Sequence, residues 1–274
     1  MMMEPLYPEI AKSYKSLFPF KVGTTSYIYP APILPNVVKL APFLDEIELV
    51  LFESSGQENL PDPSQIQRLK KLSTDWDVRY NVHLPIDIYL GDPRREVRTE
   101  GVRIVTKFIE RTLPLSPSVY TLHYSLKDDE GNDAPDLERW KTCLIQSTRE
   151  ILRCGIEPSR MSIETLGYPF EWIENIVKDF ECSVCLDIGH LLLQNSDPKN
   201  YLEKYLRDSS VVHLHGVQDG VDHLGIDRLS EATNDLILSY LRHYRGILSI
   251  EVFSFDELRS SLHVLEERWE RGSF

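Results

Sequence analysis

The sequence is poor in cysteine, has no long apolar run and carries fewer basic than acidic residues. Its four cysteines among 274 residues are too few for a disulfide framework, so we expect a cytoplasmic protein. No stretch approaches the roughly eighteen apolar residues of a membrane span, and the first twenty residues lack a signal-peptide core. The formal net charge of −13 disfavours nucleic acid as a partner, because phosphate backbones are bound by clustered Lys and Arg. We therefore expect no membrane and no nucleic-acid partner.

Eight short strand-like segments recur along the chain, with helical patterns between them. They are FKVGTT (20–25), IELVLFE (47–53), VRYNVHL (78–84), VYTLHY (119–124), MSIET (161–165), SVCLDI (183–188), VVHLHG (211–216) and ILSIEVF (247–253). Their spacing leaves room for a helix and two loops after each strand. The segment GTTSYIYP lacks the glycine-rich phosphate loop that a doubly wound open sheet would need. The pattern predicts an α/β fold, one (β/α)8 TIM barrel.

The whole chain, residues 1–274, is predicted to be a single domain, with residues 1–19 as a short N-terminal extension. We expect this extension to form a helix before the first strand, at the barrel floor. Local signals mark the starts of several later helices. These are Asp62-Pro63, Asp92-Pro93, Asp136, and Ser254 with Glu257 three residues on.

Eight metal-capable side chains lie where a predicted strand gives way to a loop. They are His83, His123, Glu164, Asp187, His190, His213, His223 and Glu251. The carboxyl ends of barrel strands meet at one rim, so these side chains should lie close together. Imidazoles with carboxylates suit zinc, manganese or iron, and eight ligands exceed what one ion uses. The pattern therefore predicts a site for two or three divalent ions, the arrangement that supports attack on phosphorus.

The order of these residues resembles the phosphodiesterase members of the xylose-isomerase-like barrel superfamily, typified by the metal-dependent apurinic endonucleases. His83 opens HLPIDIYLGDP, similar to their histidine followed by Gly-x-Pro, and Asp187 with His190 is similar to their Asp-x-x-His. The remaining counterparts are His123, Glu164 in IET, His213 in HLH, His223 and Glu251. The resemblance implies metal-dependent hydrolysis of a phosphodiester.

The same resemblance implies a role for each ligand. Glu164 would bridge two ions and help to hold the attacking hydroxide, with Asp187 and Glu251 as the other catalytic carboxylates. The remaining assignments are His83 and His123 to one ion, His213 to the second, and His190 and His223 to a further ion. The sequence departs from the pattern at Asp222, one position later than the loop aspartate of those enzymes, and at His215, where they have a non-ligand. Asp222 and His215 are thus candidates for either a metal or a substrate contact.

A closer resemblance, covering nearly the whole chain, is to the cobamide-remodelling phosphodiesterases, the CbiR family. It is carried by GTTSYIYPAPILPNV, APFLDEIELVLFES, YNVHLPIDIYLGDP, ETLGYPFEW, SVCLDIGHLLL and HLHGVQDGVDHLGID. It implies hydrolysis of a phosphoester in the nucleotide loop of a cobamide such as cobalamin. The partner would then be this small molecule, a corrinoid.

Rim loops carry side chains that could contact such a substrate. Tyr27 and Tyr29 follow the first strand, Glu53 closes the second, and Tyr168 and Phe170 follow the fifth. Aromatic rings at a rim can lie against a flat ligand. Ordinary loop packing is the alternative for each of them.

Three other functions compete with the phosphodiesterase hypothesis. A sugar isomerase or epimerase of the same superfamily would need one ion, held by Glu164, Asp187, His213 and Glu251. A barrel that binds a corrinoid or sugar without turnover is a second alternative. A nucleic-acid endonuclease is a third, and the acidic net charge makes it less favourable.

Overall fold

Eight parallel strands close into a barrel in the computed structural model, which describes residues 7–55, 60–126 and 136–272. The barrel strands are β1 (Lys21–Thr25), β2 (Glu46–Val50), β3 (Arg79–His83), β4 (Tyr120–Leu122), β5 (Met161–Glu164), β6 (Ser183–Asp187), β7 (Ser209–Leu214) and β10 (Ile247–Ile250). A short antiparallel hairpin, β8 (Gly216–Gln218) and β9 (Val221–Leu224), stands between the last two. The closed order β1-β10-β7-β6-β5-β4-β3-β2 confirms the predicted (β/α)8 barrel. That residues 1–274 are a single domain stays a prediction.

Helices connect the strands around the outside of the barrel. They are α1 (Ile33–Leu40), α2 (Pro63–Trp76), α3 (Arg95–Thr112), α4 (Leu137–Leu152), α5 (Glu174–Asp179), α6 (Ile188–Leu193), α7 (Pro198–Tyr205), α8 (Glu231–Leu241) and α9 (Phe255–Arg271). The Asp62 carboxylate accepts from the Gln65 amide at 2.9 Å, and the Ser254 hydroxyl accepts from the Glu257 amide at 3.2 Å. Both are the N-caps that the sequence predicts. Within the described ranges, no helix has the length and apolar character needed to cross a membrane.

The N-terminal extension is not helical over its described part, residues 7–19, so the predicted helix is wrong there; residues 1–6 lie outside the described residues. The Tyr14 amide donates to the Phe43 carbonyl at 2.8 Å, and the Ser16 amide donates to the Asp45 carboxylate at 3.1 Å. Phe18 stacks on Phe20, with 5.3 Å between the ring centroids. These hydrogen bonds to the loop before β2 take the place of hydrogen bonds within a helix. The extension therefore covers the N-terminal end of the barrel in an irregular conformation.

Alternation along the strands separates an apolar outer layer from a polar interior. In β2, Ile47 and Leu49 are buried in the apolar core, whereas Glu48 points into the barrel. There the Ser249 hydroxyl of β10 donates to the Glu48 carboxylate at 2.5 Å. Successive residues of a strand point to opposite faces, so two residues above Ser249 the chain presents Glu251 to the interior. The barrel interior thus leads up to a polar rim.

Candidate metal centre

The strand ends bring the eight predicted ligands together at one rim. Strand pairing sets Asp187 opposite His213 and Val50 opposite His83, which fixes the height of these side chains. The ligands end or directly follow β3, β4, β5, β6 and β10, while His213 is the residue before the last of β7, His190 lies in α6 and His223 in β9. Among the described residues, five overlapping groups of ligand atoms lie within 4.8 Å of one another, and three of these groups together contain all eight predicted ligands.

The first group consists of His83, His123 and Glu164. The Nε2 atoms of His83 and His123 lie 3.1 and 2.8 Å from the same carboxylate oxygen, Oε2 of Glu164. His83 Nδ1 lies 2.9 Å from the Leu84 carbonyl. A carbonyl oxygen only accepts, so Nδ1 carries a ring proton and Nε2 is the nitrogen that a metal would use. The His83 ring is therefore set in the form that ligates a metal.

The second group consists of Glu164, Asp187, His213 and Glu251. His213 Nδ1 lies 3.1 Å from Glu251 Oε2, 3.8 Å from Asp187 Oδ2 and 3.9 Å from Glu164 Oε1. Glu164 belongs to both groups, and its two oxygens have different neighbours: Oε2 faces His83 and His123, while Oε1 lies 3.4 Å from His190 Nδ1 and 3.9 Å from His213 Nδ1. This is the geometry of a bridging carboxylate.

Glu48 is a buried part of this site that the sequence analysis did not select. Its Oε1 lies 3.2 Å from His213 Nε2, and a carboxylate oxygen of Glu48 lies within 4.8 Å of ligand atoms of His83 and Glu251. The sequence pattern favoured Glu53 instead, at the end of the same segment, because that residue lies at the rim. The alternation of inward and outward residues along EIEL places Glu48 inside the barrel. This pattern could have identified Glu48 from the sequence.

The third group consists of His190, His215 and His223. His223 is carried by the β8–β9 hairpin, whose turn residues Asp219 and Gly220 both have positive φ, 53° and 78°. This pair of left-handed residues is typical of a tight hairpin turn. His223 itself has φ 53°, a backbone conformation that residues other than glycine rarely adopt. Strain at this position is consistent with a functional constraint.

The two residues where the sequence departs from the resembled pattern have different positions. His215 is fully buried beside His223, with 4.2 Å between the ring centroids. Asp222 is partly exposed, and its Oδ2 lies 3.9 Å from His223 Nε2. It is outside the three groups, so the structure does not bring Asp222 into the ligand set.

Several buried polar atoms of these groups fit a bound cation. Among the described residues, six such atoms make no hydrogen bond of acceptable geometry: Asp187 Oδ2, His190 Nδ1, His213 Nδ1, His213 Nε2, His215 Nε2 and Glu251 Oε2. Buried polar groups are otherwise almost always paired, and these atoms converge on one another. Mixed imidazole and carboxylate ligands suit zinc, manganese or iron. The residues present therefore fit divalent ions.

The charges within the centre shift its protonation strongly. Burial by itself raises the pKa of Glu164, but the imidazoles of His123, His190 and His83 outweigh it and hold that pKa well below its ordinary value. Burial lowers the pKa of His190, and the neighbouring carboxylates of Asp187 and Glu164 more than reverse this, raising it to about 10. Without metal, imidazolium protons thus take the place of a cation between the carboxylates.

A cavity of about 740 Å³ adjoins the metal centre at the rim. Its lining includes Tyr27, Tyr29 and Glu53 from the sequence prediction, together with Phe52 and Phe253. The Phe52 ring meets the His83 ring edge to face at 4.7 Å, and the Phe253 ring lies 5.0 Å from that of His223. The cavity thus joins the first and third groups.

The other two predicted substrate contacts do not line this cavity. Phe170 is buried in the apolar core against Tyr205, with ring centroids 4.9 Å apart. Tyr168 donates its hydroxyl to the Tyr124 carbonyl at 2.9 Å and stacks on Trp172 at 5.8 Å. Loop and core packing, the alternative for these residues, accounts for both positions.

Fold and site together define a (β/α)8 barrel with metal-capable side chains at its C-terminal rim. The chain belongs to the xylose isomerase-like TIM barrel family, whose model matches residues 44–269. No curated protein matches the sequence.

Several solved structures have the same fold. A D-tagatose 3-epimerase-like protein is 22% identical with a TM-score of 0.77, covering 92% of this chain and 98% of that one. Endonuclease IV from Thermus thermophilus is 18% identical with a TM-score of 0.68, covering 92% and 99%. D-Psicose 3-epimerase from Clostridium cellulolyticum is 15% identical with a TM-score of 0.69, covering 92% and 99%. At these identities the likeness shows the fold alone.

Proposed function

We propose that this protein is a metal-dependent phosphodiesterase that hydrolyses the nucleotide loop of a cobamide. The observation that carries the proposal is the division of Glu164 between two ligand groups. Oε2 faces His83 and His123 at 3.1 and 2.8 Å, while Oε1 faces His190 at 3.4 Å and His213 at 3.9 Å. A carboxylate shared in this way supports two adjacent ions.

The chain's own residues prepare the centre for this chemistry. Bound ions would supply Lewis acidity and a water of lowered pKa for attack on phosphorus. Glu164 remains ionised because the surrounding imidazoles hold its pKa well below the ordinary value against burial. Glu48 and the Leu84 carbonyl fix the ring orientations of His213 and His83. The ligands are therefore held in place before substrate arrives.

The cavity supports a bulky substrate with flat apolar parts. Tyr27, Phe52 and Phe253 supply aromatic surface, whereas Tyr29 is buried, and no Lys or Arg occurs among the described residues that line the cavity. Glu53 is one of its acidic groups. A polyanion would lack countercharges there, whereas a corrinoid would find aromatic faces. The motifs similar to the cobamide-remodelling phosphodiesterases support the same substrate.

A single-metal sugar epimerase is the second candidate. It is favoured by the second group, in which Glu164, Asp187, His213 and Glu251 form a complete ligand set for one ion. Two of the similar structures described above are an epimerase-like protein and an epimerase. In such an enzyme two carboxylates would move a proton next to a carbonyl group. The first and third groups separate the candidates, because a single-metal epimerase has no chemical need for His83 and His123 together with His190 and His223.

The test combines metal counting with two substrates. We expect at least two divalent ions per purified chain, hydrolysis of cobalamin to a cobinamide-type product identified by mass, and no turnover of ketohexoses. The His123→Ala variant should lose one ion and its hydrolysis. His263→Ala, an exposed histidine of α9, is the control and should keep both. One ion per chain, with ketohexose turnover that survives His123→Ala, would overturn the proposal in favour of the epimerase. Tight corrinoid binding without any product would favour the non-catalytic barrel.

A further inference from the structure

The ring of His215 faces a hydrogen-bond donor on the side away from the metal centre. The backbone amide of His223 donates to His215 Nδ1 at 2.9 Å. An amide nitrogen cannot accept, so Nδ1 must present its lone pair, and the ring proton of neutral His215 is on Nε2. The Gly216 carbonyl lies farther from Nδ1, at 3.4 Å, so the amide is the nearer partner. The surroundings thus fix the tautomer of this histidine.

This arrangement is the reverse of that at the neighbouring ligand histidines. His83 Nδ1 lies 2.9 Å from a carbonyl oxygen, and His223 Nδ1 lies 3.0 Å from the carbonyl oxygen of Glu251. His213 Nε2 faces the Glu48 carboxylate at 3.2 Å. Each of these acceptors takes the ring proton and leaves the opposite nitrogen free to bind metal. A protonated nitrogen cannot bind metal. His215, unlike these three histidines, therefore directs no unprotonated nitrogen toward the metal centre.

The protonated nitrogen of His215 points at a metal-ligand carboxylate. His215 Nε2 lies 3.3 Å from Asp187 Oδ1. The same oxygen accepts from the His190 amide at 2.7 Å. Oδ1 thus has the His190 amide and His215 Nε2 as neighbours, while the other oxygen, Oδ2, faces His190 Nδ1 at 3.1 Å and His213 Nδ1 at 3.8 Å. The amide hydrogen bond and the His215 contact together determine which oxygen of Asp187 is presented to the metal.

The position of the His215 ring is also fixed by packing. A Cβ atom added at Gly189 would overlap the His215 ring, so the ring occupies the space that the missing side chain leaves. The ring is fully buried and lies close to His223. A side chain enclosed in this way cannot turn to exchange its two nitrogens without moving its neighbours.

We propose that His215 is a positioning residue that orients Asp187, and that it does not bind metal itself. This inference rests on the proposed metal-dependent function. It leaves His190 and His223 as the imidazoles available to an ion in the third group. His215, where the sequence departs from the resembled enzymes, then supplies a hydrogen-bond donor to the second group. It does not add a metal ligand.

Two substitutions separate a positioning role from ligation. In His215→Gln, the side-chain carbonyl can accept from the His223 amide and the NH₂ can donate to Asp187, but an amide is a poor metal ligand. In His215→Asp, the carboxylate can ligate but has no proton to donate. We expect His215→Gln to keep the wild-type metal count and affinity, and His215→Asp to lose affinity by about 10–100-fold. Circular dichroism and the unfolding midpoint establish that each variant is folded. Loss of one ion from His215→Gln, with wild-type metal binding by His215→Asp, would overturn the proposal.

Direct observation of the ring gives a second readout that needs no activity. Zinc-loaded enzyme carrying ¹⁵N-labelled histidine is studied by NMR, and the His215 signals are assigned by their absence from His215→Gln. We expect a proton on Nε2 and a bare Nδ1. A proton on Nδ1 with zinc-shifted Nε2 would overturn the proposal. Because neither metal count nor tautomer depends on the substrate, a failure to hydrolyse cobamides would count against the proposed function alone.

Discussion

Glu48 and His213 form a buried carboxylate–imidazole pair directly beneath the metal centre. His213 Nε2 lies 3.2 Å from Glu48 Oε1, and the other ring nitrogen lies 3.1 Å from Glu251 Oε2. The Ser249 hydroxyl donates to the remaining oxygen of Glu48 at 2.5 Å. A carboxylate behind a ligand histidine fixes its tautomer and increases its basicity. His213 is therefore oriented from inside the barrel.

Replacing Glu48 by Gln should weaken metal binding without removing a ligand. The amide has nearly the same shape but loses the negative charge that holds the His213 proton, and substitutions of this kind lower metal affinity by about 10–100-fold. Competition titration with a zinc chelator measures the change. Glu53→Gln, an exposed residue beyond the end of the same strand, is the control. Equal zinc affinity in Glu48→Gln and the wild type would argue against this role.

Glu46, one inward position below Glu48, should make stability depend on pH. Burial raises its pKa from 4.5 to about 7, although the hydrogen bonds of Ser118 and Asn81 act in the opposite direction. A raised pKa means that the folded state favours the neutral acid. The contribution is therefore fully present below the unfolded-state pKa of 4.5 and is lost as pH rises through about 7.

The Glu46→Gln substitution tests this dependence. The amide stays neutral, so the variant should gain stability relative to the wild type by ~2 kcal/mol more at about pH 8 than at about pH 5. Urea unfolding of both proteins at the two pH values, with metal content held equal, gives the difference. A gain that does not change with pH would show that Glu46 has an ordinary pKa.

Gly189 should be intolerant of a side chain because the His215 ring fills its Cβ position. Gly→Ala within a helix such as α6 usually stabilises by about 0.5–1 kcal/mol. Overlap with the ring should reverse the sign and destabilise Gly189→Ala by about 1–3 kcal/mol. The same variant should bind metal more weakly, since His215 can no longer reach Asp187. Thermal unfolding and zinc titration measure the two effects.

Gly167 offers a matched control for this substitution. It lies in the rim loop after β5, and the nearest heavy atom to an added Cβ is Gln194 Nε2 at 3.9 Å. Gly167→Ala should therefore leave stability and metal binding close to the wild type. Equal behaviour of the two alanine variants would show that the His215 ring is not held against Gly189.

The sequence predicted the barrel well because its signal is local and repeated. Each of the eight strand segments contains the observed strand or overlaps most of it, and alternation put Glu164 and His213 on the inner face. The N-terminal helix failed because Tyr14 and Ser16 bond to the loop before β2, contacts that only the folded barrel provides. Phe170 was misassigned for a similar reason, since its packing partner Tyr205 is distant in sequence.

The convergence of the candidate ligands at one rim was predictable, but the neighbours of individual ring nitrogens were not. The end of a predicted strand indicates a residue at the rim, and this was enough to predict the positions of His83 and His123. The role of His215 depends on an amide of the β8–β9 hairpin and on the space above Gly189. Neither feature can be predicted from residue spacing. The tautomer of a histidine depends on which groups lie near its ring nitrogens, and this is known only from the folded structure.

Phe253 should contribute to substrate binding more than to chemistry. It lines the cavity, is 38% exposed, and lies 6.0 Å from Phe52 across the entrance to the metal centre. Covering an aromatic ring of this kind contributes about 1 kcal/mol or more, close to a tenfold change in affinity. For Phe253→Ala we expect KM for cobalamin to rise about tenfold, with kcat and metal count nearly unchanged. Trp76→Ala, which removes an exposed ring at the end of α2, is the control. A fall in kcat at constant KM would instead place Phe253 in support of His223, whose ring it contacts at 5.0 Å.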